Sequence, residues 1–334
     1  MVETIQPEGT PFSPWDVVTI GESMIRFSPV GADRLEQSPQ FEVHVGGSES
    51  NTVVGLARLG LRTCWISRMT ENALGRRIAT AIAAHGVDTS HIVWTSEDRI
   101  GTYFYEPGLA FRSSSVVYDR SGSAFARFVA DALPLEPMRH ARLLHATGIT
   151  LALGEDCRAL LSLARECALS HGARTSFDLN FRSRLWTMVD AKRYSESWVR
   201  QSDLVFMAKR DACAWLGCSA SDRDEEVLLA LSRGREGYCT VMTLGPRGAI
   251  ALEKEKLVSA PTVEVTGVGR LGGGDSFSAG FMYGWLQGWD LETNLRWGNA
   301  TAGLKHSIPG DMPLITRSEI ERIVADPIVR GVDR

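Results

Sequence analysis

Short β-branched runs alternate with amphipathic segments along this chain, and that rhythm limits the folds open to it. "WDVVTIGESMIRFSP" begins with an apolar strand, Val17 to Ile20, and continues past a glycine into "MIRFSP", which alternates as a second strand. "ESNTVVGLARLG" has the pattern of a helix closed by Gly60, and "RTCWISRMT" reads as a strand. "NALGRRIATAIAAHG" reads as a helix ending at Gly86, and "HIVWTS" as a strand. This β-α-β-α-β order predicts a mostly parallel central sheet flanked by helices.

The stretch from Gly101 to Phe128 breaks the rhythm. "GTYFYEPG", "RSSSVVYDR" and "SAFARFV" mix aromatic and β-branched residues between Gly, Pro and Ser, as antiparallel strands do. With "MIRFSP" and "QFEVHVGG" they predict a small second sheet, built from about residues 22–45 and 100–130 and suited to be a lid over a cleft. The α/β pattern then resumes with strands in "ARLLHATG", "RTSFDLNF" and "DLVFMA", and helices in "EDCRALLSLARECALSHG" and "KRDACAWLG". "YCTVMTLGPRGAIAL" reads as a hairpin and "KLVSAPTVEV" as a further strand, before three closing helices from "DSFSAGFMYGWLQG" onward. No internal repeat or low-complexity linker divides the 334 residues, so a single domain over 1–334 with a lid is the simplest organisation.

A net charge of -4 gives no reason to expect a nucleic-acid partner. No apolar run reaches the roughly 18–20 residues of a membrane span, and "MVETIQPEGTPFSPWD" lacks a secretory pattern, so the cytoplasm is the expected compartment. Cys64, Cys157, Cys167, Cys213, Cys218 and Cys239 form no CxxC pair and read as buried thiols. The histidines show no metal-ligand spacing, and the sequence assigns no metal ligand by number.

Chemistry concentrates in "GRLGGGDSFSAGF" (Gly269 to Phe281). Phe277, Phe281 and Trp285 lie at helical spacing, so the helix expected from Asp275 to Gln287 is buried and its start is held rigidly. Backbone N–H groups of Gly272, Gly273 and Gly274 can converge there on an anion at the positive end of the helix. Such donors would stabilise a phosphoryl group in transfer, and Asp275 could take the proton of an attacking hydroxyl. A plain helix N-cap accounts for the same aspartate. "GVGRLG" (Gly267 to Gly272) also matches the dinucleotide fingerprint, but helices follow where a strand with an acidic end is needed, which disfavours that reading.

"GRLGGGDSFSAGF" is similar to the C-terminal Gly-x-Gly-Asp motif of the ribokinase-like (PfkB) carbohydrate kinases. "GGSESNTVVGLARLG" (Gly46 to Gly60) resembles the N-terminal Gly-Gly-…-Asn-helix motif of the same family. The order of elements from about Val17 to Asp326 agrees. "GESMIRFSP", "YDRSGSAFARF", "FDLNFRSRLW" and "LKHSIPGD" narrow the resemblance to 2-keto-3-deoxygluconate kinases. The resemblance implies an α/β domain with a β-sheet lid, ATP with Mg²⁺, and transfer of the γ-phosphoryl group to a sugar hydroxyl. Asp275 would be the catalytic base, and Gly272, Gly273 and Gly274 the anion hole. Gly47 and Asn51 would contact sugar hydroxyls, and Tyr103 and Tyr118 would meet the sugar from the lid. Arg120 and Arg182 would bind the acid group, as suits a carboxylate substrate. Thr243, Gly245, Arg247 and Gly248 would lie beside the phosphates, Arg270 near them, and Asn299 with Ala300 near adenine.

Two positions depart from the family pattern. Gly269 stands where an aspartate is common beside a monovalent-cation site, and it offers a cation only a backbone carbonyl. "MAKRDA" has Ala208 and Asp211 where many members carry Asn and Glu, which organise Mg²⁺ and phosphate. A kinase for a neutral ketohexose such as fructose, or for another keto-deoxy sugar acid, is the alternative, and a catalytically weak sugar-acid sensor the third reading. Apolar lid residues such as Phe27 and Val43 would permit two copies to pair as a homodimer.

Overall fold

The architecture is that of a computed structural model, which describes residues 14–235, 237–263, 265 and 269–326. The amino-terminal segment through residue 13 and Gly267 of the fingerprint lie outside the described residues. The chain starts with β1 (Trp15–Ile20), β2 (Met24–Pro29), β3 (Phe41–Gly46), α1 (Ser48–Arg58), β4 (Thr63–Ile66), β5 (Arg68–Thr70), α2 (Ala73–Ala83) and β6 (Val93–Thr95). β7 (Thr102–Glu106), β8 (Ser115–Asp119), α3 (Glu136–Arg139), β9 (Ala141–Thr147), α4 (Gly148–Ala152), α5 (Glu155–Ser170) and β10 (Arg174–Asp178) follow. Next come α6 (Met188–Gln201), β11 (Leu204–Ala208), α7 (Lys209–Leu216), α8 (Asp224–Leu231), β12 (Cys239–Thr243), β13 (Ala249–Glu253) and β14 (Lys256–Ala260). Three helices close the chain: α9 (Gly273–Leu286), α10 (Leu291–His306) and α11 (Arg317–Ala325).

The main sheet has the order β14-β13-β12-β11-β10-β9-β1-β4. Its strands from β12 to β4 are parallel, and β13 and β14 fold back antiparallel at one edge. Successive side chains of a strand point to opposite faces, so β1 sends Val17 into one apolar cluster and Val18 into another. α1, α2, α9, α10 and α11 cover the first face, and α5 to α8 the second. This is a ribokinase-like α/β fold, with mostly parallel strands between layers of helices. A separate small sheet has the order β3-β2-β7-β8.

Four details differ from the expectations drawn from sequence. "SAFARFV" forms a 3₁₀ turn, Phe125–Arg127, because Phe125 and Phe128 plug into the second core three residues apart. "RTCWISRMT" is broken at Ser67, whose hydroxyl donates to the Gly21 carbonyl, into β4 and β5. β5 then pairs with β6 in a two-stranded ribbon, so "HIVWTS" is not a strand of the main sheet. α9 begins at Gly273, two residues before the expected start. Among the described residues no helix is long and apolar enough to cross a membrane. Five of the cysteines are buried and Cys218 is half-buried.

Candidate active site

Parallel strands deliver their following residues to one edge of a sheet, where α/β folds build their sites. Here Gly21 and Glu22 follow β1, and Asp178, Ala208 and Thr243 end β10, β11 and β12. α1 and α9 bring their N-termini to the same edge, and both Asn51 and Asp275 are buried there. The Asp275 carboxylate accepts hydrogen bonds from Ser48 Oγ at 2.7 Å and from Asn51 Nδ2 at 2.8 Å. Asn180 Nδ2 donates to Ser48 Oγ at 2.7 Å and reaches Asp275 Oδ1 at 3.5 Å. The two family motifs, distant in sequence, therefore meet through side-chain hydrogen bonds at one carboxylate. Burial raises the Asp275 carboxyl above its usual range, although the bonds from Asn51 and Ser48 and the charge of Arg182 favour the carboxylate.

Asn180 holds a left-handed backbone conformation, φ 40°, which is rare outside glycine. Its own N–H donates to Asp178 Oδ1 at 3.0 Å, which fixes the turn after β10. Burial and the neighbouring Asp275 carboxylate push the Asp178 carboxyl up to about 7. Asp211, buried at the start of α7, is raised by burial as well, against the charge of Arg210. Glu49 is fully buried one residue after Ser48 and accepts from Thr147 Oγ1 at 2.6 Å and Thr150 Oγ1 at 2.7 Å. Burial raises it too. Asp178, Asn180 and Glu49 lie outside the site residues that the sequence points to. Polar residues at strand ends and in the first turn of α1 were the available signal.

The two expected acid-binding arginines are placed very differently. Arg182 is half-buried, and its Nη1 donates only to the Phe181 carbonyl, at 3.3 Å. It has no acidic partner within ion-pair distance among the described residues, yet its charge favours the ionised forms of Asp178, Asp211 and Asp275. Arg120 is buried and its fork grips Glu22, with Nε donating to Oε2 at 2.8 Å and Nη2 to the same oxygen. Tyr118 lies beside it, its ring 5.8 Å from the Arg120 guanidinium and tilted against Tyr103 at 5.9 Å. The Tyr103 hydroxyl donates to Asp311 Oδ1, and Asp311 Oδ2 lies 3.0 Å from Arg26 Nη1. Asp311 thus ties β2 and β7 of the small sheet to the segment after α10. Gly47 is the N-cap of α1, packed against the Glu22 carbonyl.

At the N-terminus of α9, Gly272 has φ 72°, and a Cβ there would stand 2.0 Å from the Asp311 carbonyl oxygen. Gly273 packs against the His306 ring. A Cβ on Gly274 would meet no atom of the described residues within 4 Å, so among them open space lies in front of the first turn of α9. Gly269 donates its N–H to the His306 carbonyl at 3.3 Å, and Arg270 is exposed. Across the edge, Thr243, Gly245, Arg247 and Gly248 form the β12–β13 turn. The Arg247 guanidinium pairs with Asp224, which also holds Lys209 at 2.7 Å. Asn299 is buried, and its Nδ2 donates to the carbonyls of Ala260 and Pro261, tying α10 to the end of β14. Its amide is therefore engaged with backbone, and Ala300 is buried beside it.

A buried carboxylate at the glycine-led start of a helix, at the strand-end edge of a ribokinase-like sheet and beside a small second sheet, defines a phosphotransferase that acts on an alcohol group. The pfkB family of carbohydrate kinases matches residues 15–315, and the chain belongs to that family. It is 35% identical over 320 residues to a 2-dehydro-3-deoxygalactonokinase of Haloferax volcanii, covering 96% of this chain and 99% of the relative. A 5-dehydro-2-deoxygluconokinase of Geobacillus thermodenitrificans is 29% identical over 324 residues, covering 93% of each. A crystal structure of 2-dehydro-3-deoxygluconokinase from Thermotoga maritima superposes with a TM-score of 0.88 at 31% identity, covering 92% of this chain and 99% of that one.

Proposed function

We propose that this sugar kinase transfers the γ-phosphoryl group of ATP to a hydroxyl of a 2-keto-3-deoxy sugar acid, with 2-keto-3-deoxygluconate as the first candidate. One observation carries the reading: the buried Asp275 carboxylate, oriented by Ser48 and Asn51 beside the open start of α9, with the Arg182 cation, which has no acidic partner among the described residues, acting on it. Asp275 accepts the proton of the attacking hydroxyl, a role its raised carboxyl suits. The N–H groups at Gly272–Gly274 face the phosphoryl oxygens, where preorganised donors lower the barrier. Arg182, which has no acidic partner among the described residues, offers its guanidinium to the substrate carboxylate. The relatives named as keto-deoxy acid kinases support an acid substrate.

ATP and Mg²⁺ fit the charge of this edge. The Asp275 and Asp211 carboxylates both disfavour the ionised form of Asp178, and a divalent cation beside Asp178 would relieve that repulsion. Asp178 and Asp211 would hold it, and the ion would neutralise phosphate charge. The small sheet would act as the lid. The test is a Mg-ATP assay on keto-deoxygluconate, keto-deoxygalactonate, 5-keto-2-deoxygluconate and fructose. The keto-deoxy acids should give the highest kcat/KM. Arg182→Met should then lower kcat/KM for the acids by about 10- to 100-fold, the worth of one charge-assisted hydrogen bond, and spare fructose. Preference for fructose, or equal losses on acids and fructose, would refute the acid assignment.

A further inference from the structure

β4 is an outer strand of the main sheet, and one bridge extends it: Asp88 N donates to the Thr63 carbonyl at 2.8 Å, and Trp65 N to the Asp88 carbonyl at 3.0 Å. The bridge places Asp88 opposite Cys64, so their side chains are neighbours. Asp88 also accepts from Ser90 N at 2.9 Å, which turns the chain and brings back His91. As a result Cys64 Sγ, an Asp88 carboxylate oxygen and a His91 ring nitrogen lie within 4.8 Å of one another. Glu136 Oε2, at the start of α3, is 3.5 Å from His91 Nε2. Neither the phosphotransfer site nor any feature of the sugar-kinase reading uses these residues.

We propose that Cys64, Asp88 and His91 bind a zinc ion at this sheet edge, with Glu136 or water as the fourth ligand. The donor set is one sulfur, one imidazole nitrogen and one or two carboxylate oxygens, a mixture that zinc takes and magnesium does not. Tetrahedral ligands stand about 3.5 Å apart, and these atoms all lie within 4.8 Å, so closing on an ion needs only a small movement, which the half-buried Asp88 and His91 can supply. Trp15 Nε1 donates to Asp88 Oδ2 at 3.0 Å, and its ring packs edge-on to His91 at 5.4 Å, so both rim ligands are already oriented from outside. On binding, Cys64 releases its proton to solvent and the thiolate sulfur bonds the ion. The ion would clamp the connection after α2, the start of α3 and the edge of β4 together, apart from the strand-end edge where Asp275 lies.

The test uses the full chain stripped of metal by dialysis against a chelator and titrated with Co²⁺. One equivalent should produce a near-ultraviolet thiolate-to-cobalt charge-transfer band that Zn²⁺ displaces. Cys64→Ser should abolish the band, and His91→Ala should weaken Co²⁺ binding at least about tenfold, the usual loss when a metal site is disturbed. Sugar phosphorylation in Mg-ATP should be retained by His91→Ala. Absence of a stoichiometric band, its survival in Cys64→Ser, or unchanged affinity in His91→Ala would overturn the proposal. His91→Ala decides alone if the buried serine variant does not fold.

Discussion

Asp275 shows how much of the chemistry depends on single donors. Both its oxygens receive hydrogen bonds from the face of α1, and burial holds its carboxyl above the usual range. Asp275→Asn would turn an NH₂ group toward Ser48 or Asn51, a donor against a donor, while removing a buried charge. The first change costs about 1–3 kcal/mol and the second offsets part of it. Melting temperature should therefore move little, whereas kcat should fall by about 10²–10⁴, the range for loss of a positioned base. Retained turnover would remove Asp275 from the role of base. Arg120 presents the opposite case. Arg120→Met would leave Glu22 buried without its counter-ion, and Glu22 Oε1 already has no hydrogen-bond partner among the described residues. Removing one member of such a pair costs about 3–5 kcal/mol, so urea denaturation should show a fall of that order before any kinetic effect is read. A variant as stable as the parent would mean that Arg120 is not committed to Glu22.

The start of α9 separates glycines that shape the protein from one that leaves room for something else. Gly272→Ala forces a Cβ to 2.0 Å from the Asp311 carbonyl at a left-handed φ of 72°, so both fold and activity should suffer. Gly274→Ala meets no atom of the described residues within 4 Å, and alanine gains up to about 1 kcal/mol in helix propensity. Its melting temperature should equal or exceed that of the parent, while turnover should fall at least about tenfold because the methyl group enters the phosphoryl space. Full activity in Gly274→Ala would assign that space to solvent. This loop was legible in sequence because glycines before an apolar helix have a local cause. The succession of strands and helices along most of the α/β body was legible for the same reason, through hydrophobic periodicity. α6 was not, since charged and polar residues outnumber the Ala191, Trp198 and Val199 of its buried face. The pairing of Arg120 with Glu22, 98 residues apart, and the left-handed Asn180 depend on tertiary packing and leave no local trace. The 3₁₀ turn at Phe125 shares the aromatic content of a strand and differs only in which core it fills.

At the scale of the whole molecule, two apolar clusters separated by one sheet make the middle strands the most protected part of the fold. β9 lies between β1 and β10, and it carries His145, fully buried with its Nδ1 3.1 Å from Ser176 Oγ. Burial lowers this imidazole from 6.5 to about 3. The unfolded chain therefore binds a proton below pH 6.5 that the folded chain refuses until near pH 3. By linkage, stability present above pH 6.5 is lost as pH falls through that interval. At about pH 5 the gap of roughly 1.5 pH units corresponds to about 2 kcal/mol. Burial also lowers His85 and His306, which act in the same direction, but they remain in a variant at position 145 and cancel in a difference. His145→Asn keeps a polar group near Ser176 and removes the titration, at some cost in packing at every pH. Urea denaturation at about pH 8 and about pH 5 should then show the parent losing about 2 kcal/mol more than the variant between the two conditions. Equal losses would mean that His145 takes up its proton without unfolding, and that the centre of the sheet admits a charge.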